Sequence, residues 1–143
     1  MSETVTLHFP FAPIGKGRPR ISTRGGFVRN ITPEKTRAYE KAIADSARVQ
    51  LGMRFEPWTG PVALAASFYM PIPKRMKCPD PDNVRARMAM FHAKKPDMSN
   101  ILKALEDALN GILWVDDSQI AHANIGKRYS TSPRIEVQAT QLT

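Results

Sequence analysis

Apolar and polar residues alternate from the start of the chain. Val5, Leu7 and Phe9 are interleaved with Thr6 and His8, the period-two pattern of a half-buried strand, and Pro10 ends it. A loop from Pro13 to Gly26, rich in Gly, Pro and Arg, leads to a short second strand, Phe27–Ile31, expected to pair with what precedes it. Thr32 followed by Pro33 signals a helix start, with Thr as cap and Pro in the first helical position. That helix should run from Pro33 to about Val49–Leu51 and close at Gly52. Val62–Met70 is strongly apolar, as in a buried central strand, and Pro71 and Pro73 end it. Lys74–Lys95 reads as a long loop or lid, with one helical turn near Val84–Met90. A second helix is expected from Met98 to Asn110, stopped by Gly111. Two closing strands, Gln119–Arg128 and Arg134–Leu142, are joined by a Ser-Thr-Ser-Pro turn. The pattern predicts a single α+β domain over residues 1–143: a mixed β-sheet of four to six strands with two principal helices.

Composition narrows the class. The chain has an ordinary apolar content, 42%, and no apolar run of membrane-spanning length. Its first residues lack the pattern of a signal peptide. Cys78 is the only cysteine, and the three histidines do not join it at zinc spacing. These features lead to the expectation of a cytoplasmic protein without membrane association, disulfide or structural zinc. The GKG of residues 15–17 does not belong to a GxxxxGK[ST] phosphate loop, so no nucleotide cofactor is expected.

Charge changes the picture further. Lys and Arg number 21 against 13 Asp and Glu, giving a formal net charge of +8, and a balance this basic suits a polyanion such as DNA. Lys16, Arg18, Arg20, Arg24 and Arg29 lie in a stretch without acids. Lys16, Arg18 and Arg20 alternate with Gly or Pro, which suits an extended arm reaching for phosphates, although a solvated loop would look the same. Lys74, Arg75, Lys77, Arg85, Arg87, Lys94 and Lys95 would line an approach to the site. Nothing in these stretches specifies a base sequence. Phe68, Tyr69 and Trp114 read as core or interface residues rather than base-stacking ones.

Five of the 13 acids crowd between Asp97 and Asp117. At 100° per residue, Ile101, Leu102, Leu105, Ala108 and Leu109 share one side of the second helix, and Ser99, Asn100, Lys103 and Asp107 share the other. Asp97 precedes the helix and suits its cap. A solvated helix face explains each position singly. It does not explain Asp116 and Asp117, adjacent carboxylates at an expected strand start, which repel unless a cation compensates. Carboxylates from a helix start and a strand start suit Mg²⁺, and a nearby lysine suits a scissile phosphate, so the cluster points to metal-assisted phosphodiester cleavage.

The segment KKPDMSNILKALEDALNGILWVDDSQI, Lys94–Ile120, closely resembles the RusA family of Holliday junction resolvases, many of them encoded by phages and prophages. The blocks that carry the resemblance are K-P-D-x-D-N-x-x-K, D-A-L-x-G and D-D-x-Q-[IV], with GKGRPR at Gly15–Arg20 and TPEKTRAYE at Thr32–Glu40 upstream. The resemblance implies a homodimeric, Mg²⁺-dependent endonuclease, with Mn²⁺ able to substitute, that resolves four-way DNA junctions by paired symmetric nicks in recombination and repair. It places catalytic roles on Asp97, Lys103 and Asp117. One family acid is missing, because Ser99 stands where the motif has Asp. Asp107 or Asp116 would then supply the charge, the site would bind metal through one fewer ligand, or the chain would keep DNA binding without cleavage. The first account is preferred, since Asp107 already shares a helix face with Ser99 and Lys103. The metal set expected from the sequence is therefore Asp97, Asp117, Asp107 and Asp116. Forks, flaps or single strands as substrates, and a non-catalytic branched-DNA-binding protein, are the rival readings; a basic RNA-binding or ribosome-associated protein fits the composition but leaves the acidic cluster unexplained.

Overall fold

In a computed structural model of the chain, residues 2–17, 20–22, 24–26, 29–31, 33–74 and 91–142 are described, with only the backbone of 20–22, 24 and 29–31. Four strands build the main sheet: β1 (Glu3–Phe9), β4 (Val62–Pro71), β5 (Ile120–Ser130) and β6 (Arg134–Gln141), in the order β1-β6-β4-β5. β6 runs antiparallel to both β1 and β4, whereas β4 and β5 are parallel. Two short strands, β2 (Arg20–Ser22) and β3 (Arg29–Ile31), form a separate antiparallel ribbon. The helices are α1 (Glu34–Leu51) and α2 (Met98–Leu109). This is the expected α+β domain with a mixed sheet and two principal helices.

The reason for the sheet order lies in burial. β4 alternates strictly, with Val62, Leu64, Ala66, Phe68 and Met70 buried and their neighbours half-buried. A strand so apolar on its inner face is driven to the centre, where β6 and β5 cover both its edges. Leu7 and Phe9 of β1, with Ile135, Val137 and Ala139 of β6, extend the same inner face. Against it pack Tyr39, Ile43 and Ala47 of α1 and Ile101, Ala104, Leu105, Ala108 and Leu109 of α2. Leu105, fully buried, contributes on the order of 2 kcal/mol by removal from water.

Several boundaries differ from the sequence expectation. Pro33 is the extended cap residue of α1 rather than its first helical position, and Glu34 opens the helix. Thr32 lies outside the described residues, as do Phe27 and Val28 of the expected second strand and Arg75–Met90 of the expected lid with its helical turn. The loop expected from Pro13 to Gly26 contains β2. Asp117 opens a 3₁₀ turn, Asp117–Gln119, capped by Asp116, just before β5. The Ser-Thr-Ser-Pro turn does not close a hairpin. It carries the chain across the end of β4, because β6 pairs with β4 and β1 and not with β5. Trp114 is core, as expected, with its indole N–H donating to Asn110 Oδ1 at 2.7 Å.

Candidate active site

The site begins with the two ends of α2. Asp97 is its cap residue, and its carbonyl accepts from the amides of Asn100 and Ile101. The residue is exposed, and its carboxylate makes no capping hydrogen bond among the described residues. Ser99, two residues on, is also exposed. At the far end, Asn110-Gly111, with Gly111 at φ 77°, stops the helix and turns the chain back. The return brings the turn before β5 against the middle of α2.

That turn is built by Asp116 and Gln119. Asp116 accepts from the Ser118 amide at 3.0 Å, and Gln119 accepts from the Asp116 amide at 2.9 Å, a reciprocal capping box. Gln119 also donates to the carbonyls of Trp58 (2.7 Å) and Gly60 (3.0 Å), stapling the turn to the segment before β4. Hydrogen bonding from Ser118 holds Asp116 below the usual carboxylate range. Asp117, between them, is left to face α2.

There Lys103 Nζ lies 2.7 Å from Asp117 Oδ2 and 3.0 Å from Asp107 Oδ1. These two carboxylates, Asp117 first, push the lysine's pKa well up, so it is a permanent ammonium rather than a general base. Asp107 carries a second lysine: Lys16 Nζ pairs with its Oδ2 and stands 3.4 Å from Glu40 Oε1 on α1. Burial alone would raise Asp107, but hydrogen bonds from Lys16 and Lys103 outweigh it and hold the acid below its ordinary value. Burial likewise opposes the charge on Lys16, and Asp107 and Glu40 overcome it. The opposite happens at Glu106. Burial, then the adjacent Asp117 carboxyl, push it up to about 7. The site is thus a row of alternating charge, Glu40–Lys16–Asp107–Lys103–Asp117, with Glu106 crowding its last member.

The donors in this row are hard carboxylate oxygens, and the Glu106–Asp117 repulsion is of the kind a divalent cation relieves, so the chemistry of the set fits Mg²⁺. Among the described residues, no three Asp, Glu, His or Cys side chains gather at metal-binding distance. The arrangement suits an ion held by one or two carboxylates and otherwise by water.

The segment before Asp97 is also held. Lys127 of β5 donates to the carbonyls of Lys94 (3.0 Å) and Pro96 (2.8 Å), and the His92 amide donates to the Lys127 carbonyl at 3.2 Å. The Lys95–Pro96 peptide is cis. Burial, then the charge of Lys127, lower the pKa of His92.

The structure therefore brings Lys103, Asp107 and Asp117 together, sets Asp97 at the entrance of the same helix and uses Asp116 in the turn. Lys16, expected in a phosphate-seeking arm, is drawn into the acidic row. Lys74, Lys94 and Lys95 are exposed. Arg20 and Arg24 are described by backbone alone, and Arg18, Arg75, Lys77, Arg85 and Arg87 lie outside the described residues. Sequence reasoning missed three residues. Glu106 lies 60° from Lys103 on the helical wheel and could have been read there. Glu40 borders the buried stripe Thr36-Tyr39-Ile43, a weaker sign. Lys127 had no local sign, since only sheet register brings it to Pro96.

On this basic α+β domain a lysine is clasped between two aspartates, and a further exposed aspartate caps the same helix. The chain belongs to the RusA family: the model of endodeoxyribonuclease RusA matches residues 10–140. Membership places it among nucleases of Holliday junctions and branched DNA. It is also similar to the uncharacterized protein YqaN of Bacillus subtilis (strain 168), 31% identical over 135 residues, which cover 92% of each chain. Among the described residues no helix is long and apolar enough to cross a membrane.

Proposed function

We propose that this protein is a Mg²⁺-dependent endonuclease that resolves four-way DNA junctions by paired symmetric nicks. The observation that carries the reading is Lys103, a charged ammonium held 2.7 Å from Asp117 and 3.0 Å from Asp107 in a chain of this family. In this reading Asp97 and Asp117 hold the metal, which when bound supplies Lewis-acid activation of the phosphodiester and the attacking water. Asp107 holds Lys103 in line with the site, and Asp116 holds the turn that presents Asp117. Glu106, rather than the Asp107 or Asp116 expected from the sequence, would supply the negative charge that Ser99 lacks, losing its proton once a bound cation relieves its crowding against Asp117. Lys103 stabilises negative charge as it builds on the phosphate, an electrostatic role suited to a lysine that keeps its proton. Lys94 and Lys95, beside Asp97, contact the DNA backbone and position it. Two nicks in a two-fold junction require two sites, so the acting unit is a homodimer.

A synthetic four-way junction with Mg²⁺ tests this directly. Wild type should give paired symmetric nicks, stopped by EDTA and supported by Mn²⁺. Linear, forked and flapped DNAs in the same assay measure specificity, and stronger cutting of a fork or flap would reassign the substrate. A second reading, branched-DNA binding without cleavage, is favoured by Ser99. Tight junction binding with no nicking in either metal would establish it.

A further inference from the structure

We infer that Lys16 is a positioning residue for Lys103, acting through Asp107, and not a contact to DNA. The inference rests on the nuclease reading for its kinetic test. Its geometric basis is separate.

The Lys16 side chain is only 24% exposed, and its ammonium is turned between Glu40 and Asp107. The backbone on both sides is clamped. A Cβ on Gly15 would come within 2.6 Å of Asn100 Nδ2 and 2.9 Å of Pro96 Cβ, so this loop is pressed against the start of α2. A Cβ on Gly17 would come within 2.8 Å of Thr36 Oγ1 and 2.9 Å of Pro33 Cγ, so the other side is pressed against the start of α1. The Gly17 amide donates to Thr36 Oγ1 at 2.9 Å, and the Ile14 amide donates to Tyr39 Oη at 3.3 Å. Glycine on either side of Lys16 is what allows this close approach. An arm built to sweep for phosphates would not be fixed at both ends.

The consequence falls on Asp107. Its two oxygens are divided, Oδ2 to Lys16 and Oδ1 to Lys103. With Oδ2 occupied, the carboxylate cannot rotate to grip Lys103 with both oxygens, and Lys103 stays within reach of Asp117. Without Lys16, Asp107 can close on Lys103 and draw it from the position in which it meets the phosphate. Glu40 supports the arrangement from behind. Its Oε1 is buried with no hydrogen bond, and the Lys16 charge is what compensates it.

The test compares Lys16→Met, Lys16→Arg, Asp107→Asn and the Lys16→Met/Asp107→Asn pair in the full-length protein. Single-turnover nicking at saturating protein and junction affinity in EDTA are measured separately. For Lys16→Met, the rate should fall roughly tenfold or more, as expected for a displaced catalytic group. Affinity should stay within about twofold of wild type. Lys16→Arg should recover most of the rate, and the double variant should be no slower than Asp107→Asn. Should Lys16→Met fail to fold, the variant Lys16→Met/Glu40→Gln, which removes the orphaned carboxylate as well, carries the same comparison. The ¹⁵Nζ resonance of Lys103 reads the geometry without cleavage: it should shift in Lys16→Met and return in Lys16→Arg. An unmoved Lys103 resonance overturns the inference whether or not the protein cuts. Weakened affinity with an intact saturating rate also overturns it and makes Lys16 a DNA contact. A wild type that never nicks, with the resonance behaving as expected, removes the nuclease reading and leaves the positioning role standing.

Discussion

Removing the Lys127 ammonium should loosen Asp97 without unfolding the protein. Lys127 is anchored in β5, yet its Nζ holds the carbonyls of Lys94 at 3.0 Å and Pro96 at 2.8 Å, immediately before the exposed acid. Each hydrogen bond from a charged donor is worth about 1.5–3 kcal/mol, and the Lys94 end is solvent-exposed, so the pair together contributes roughly 2–4 kcal/mol. In Lys127→Met that energy is lost mainly from the segment 92–97, because the methionine stem still packs where the lysine stem did. At about 1.4 kcal/mol per factor of ten, amide exchange there should accelerate on the order of 30- to 700-fold. Amides of β4 and β6 should exchange as before. A displacement of Asp97 by about 1 Å should cost on the order of a hundredfold in nicking rate at saturating DNA. His92 supplies an internal check. Burial is the larger reason for its lowered pKa and the Lys127 charge the second, so the variant's His92 should titrate higher by NMR while staying below an exposed histidine. Hydrogen exchange across 92–97 that matched wild type, with nicking within about twofold, would refute the reasoning.

Other outcomes follow from the same geometry. Asp117→Asn and Lys103→Ala should each lower nicking about 10²-fold or more while junction binding persists, and variants that cut like wild type would remove both from the site. Gly15→Ala forces a Cβ against Asn100 and Pro96 and should destabilise the fold by about 1–3 kcal/mol, read as a lower denaturant midpoint at unchanged slope. Glu106, raised to about 7 from an ordinary value of 4.5, favours its protonated form in the fold. Its stability contribution is therefore complete below pH 4.5 and is lost as pH rises towards 7. Glu106→Gln should flatten the stability profile across that window and be the more stable protein at pH 8 by on the order of 1 kcal/mol, after allowance for solvent screening. In metal-free buffer, a parallel decline of both proteins between pH 4.5 and 7 would rule this out.

Local pattern made the elements legible, and long-range pairing was what it withheld. The alternation of β1, the apolar run of β4 and the stripe of α2 each carry their structure within a dozen residues, and burial followed them closely. β2 escaped because three residues, Arg-Ile-Ser, are too few to show a period. The place of β6 escaped because its alternating Ile135, Val137 and Ala139 suit any position with one buried face. The site divided in the same way. Lys103 and Asp107 are i,i+4 neighbours on one helix and Asp97 is its cap residue, so their placement is a matter of helical geometry. Asp117 was legible as chemistry, but the turn that aims it depends on Gln119 reaching the carbonyls of Trp58 and Gly60, some sixty residues away. Lys16 was legible as a charge and not as a partner, since its Gly neighbours suit a mobile arm as well as a clamped one.

The acidic row also resolves the apparent conflict between a chain of charge +8 and a concentration of carboxylates at its proposed site. A phosphodiester site needs negative groups to hold a cation and positive groups to receive the phosphate, and the two would cancel if they paired freely. Here pairing is constrained by the elements that carry the charges. Asp107 is divided between two lysines, and Asp116 is spent on its turn. Among the described residues, Asp97 makes no capping bond and Asp117 has Lys103 alone as an ion-pair partner, so neither carboxylate is spent on holding the fold as Asp107 and Asp116 are. Lys103 in turn sits between an aspartate fixed by Lys16 and an aspartate a cation would engage. In the proposed reading Asp117 would be shared with a cation, and the ammonium, still held by Asp107, would be free to meet a phosphate. The lysine can change partners without changing place, which is what electrostatic stabilisation of a transient charge requires.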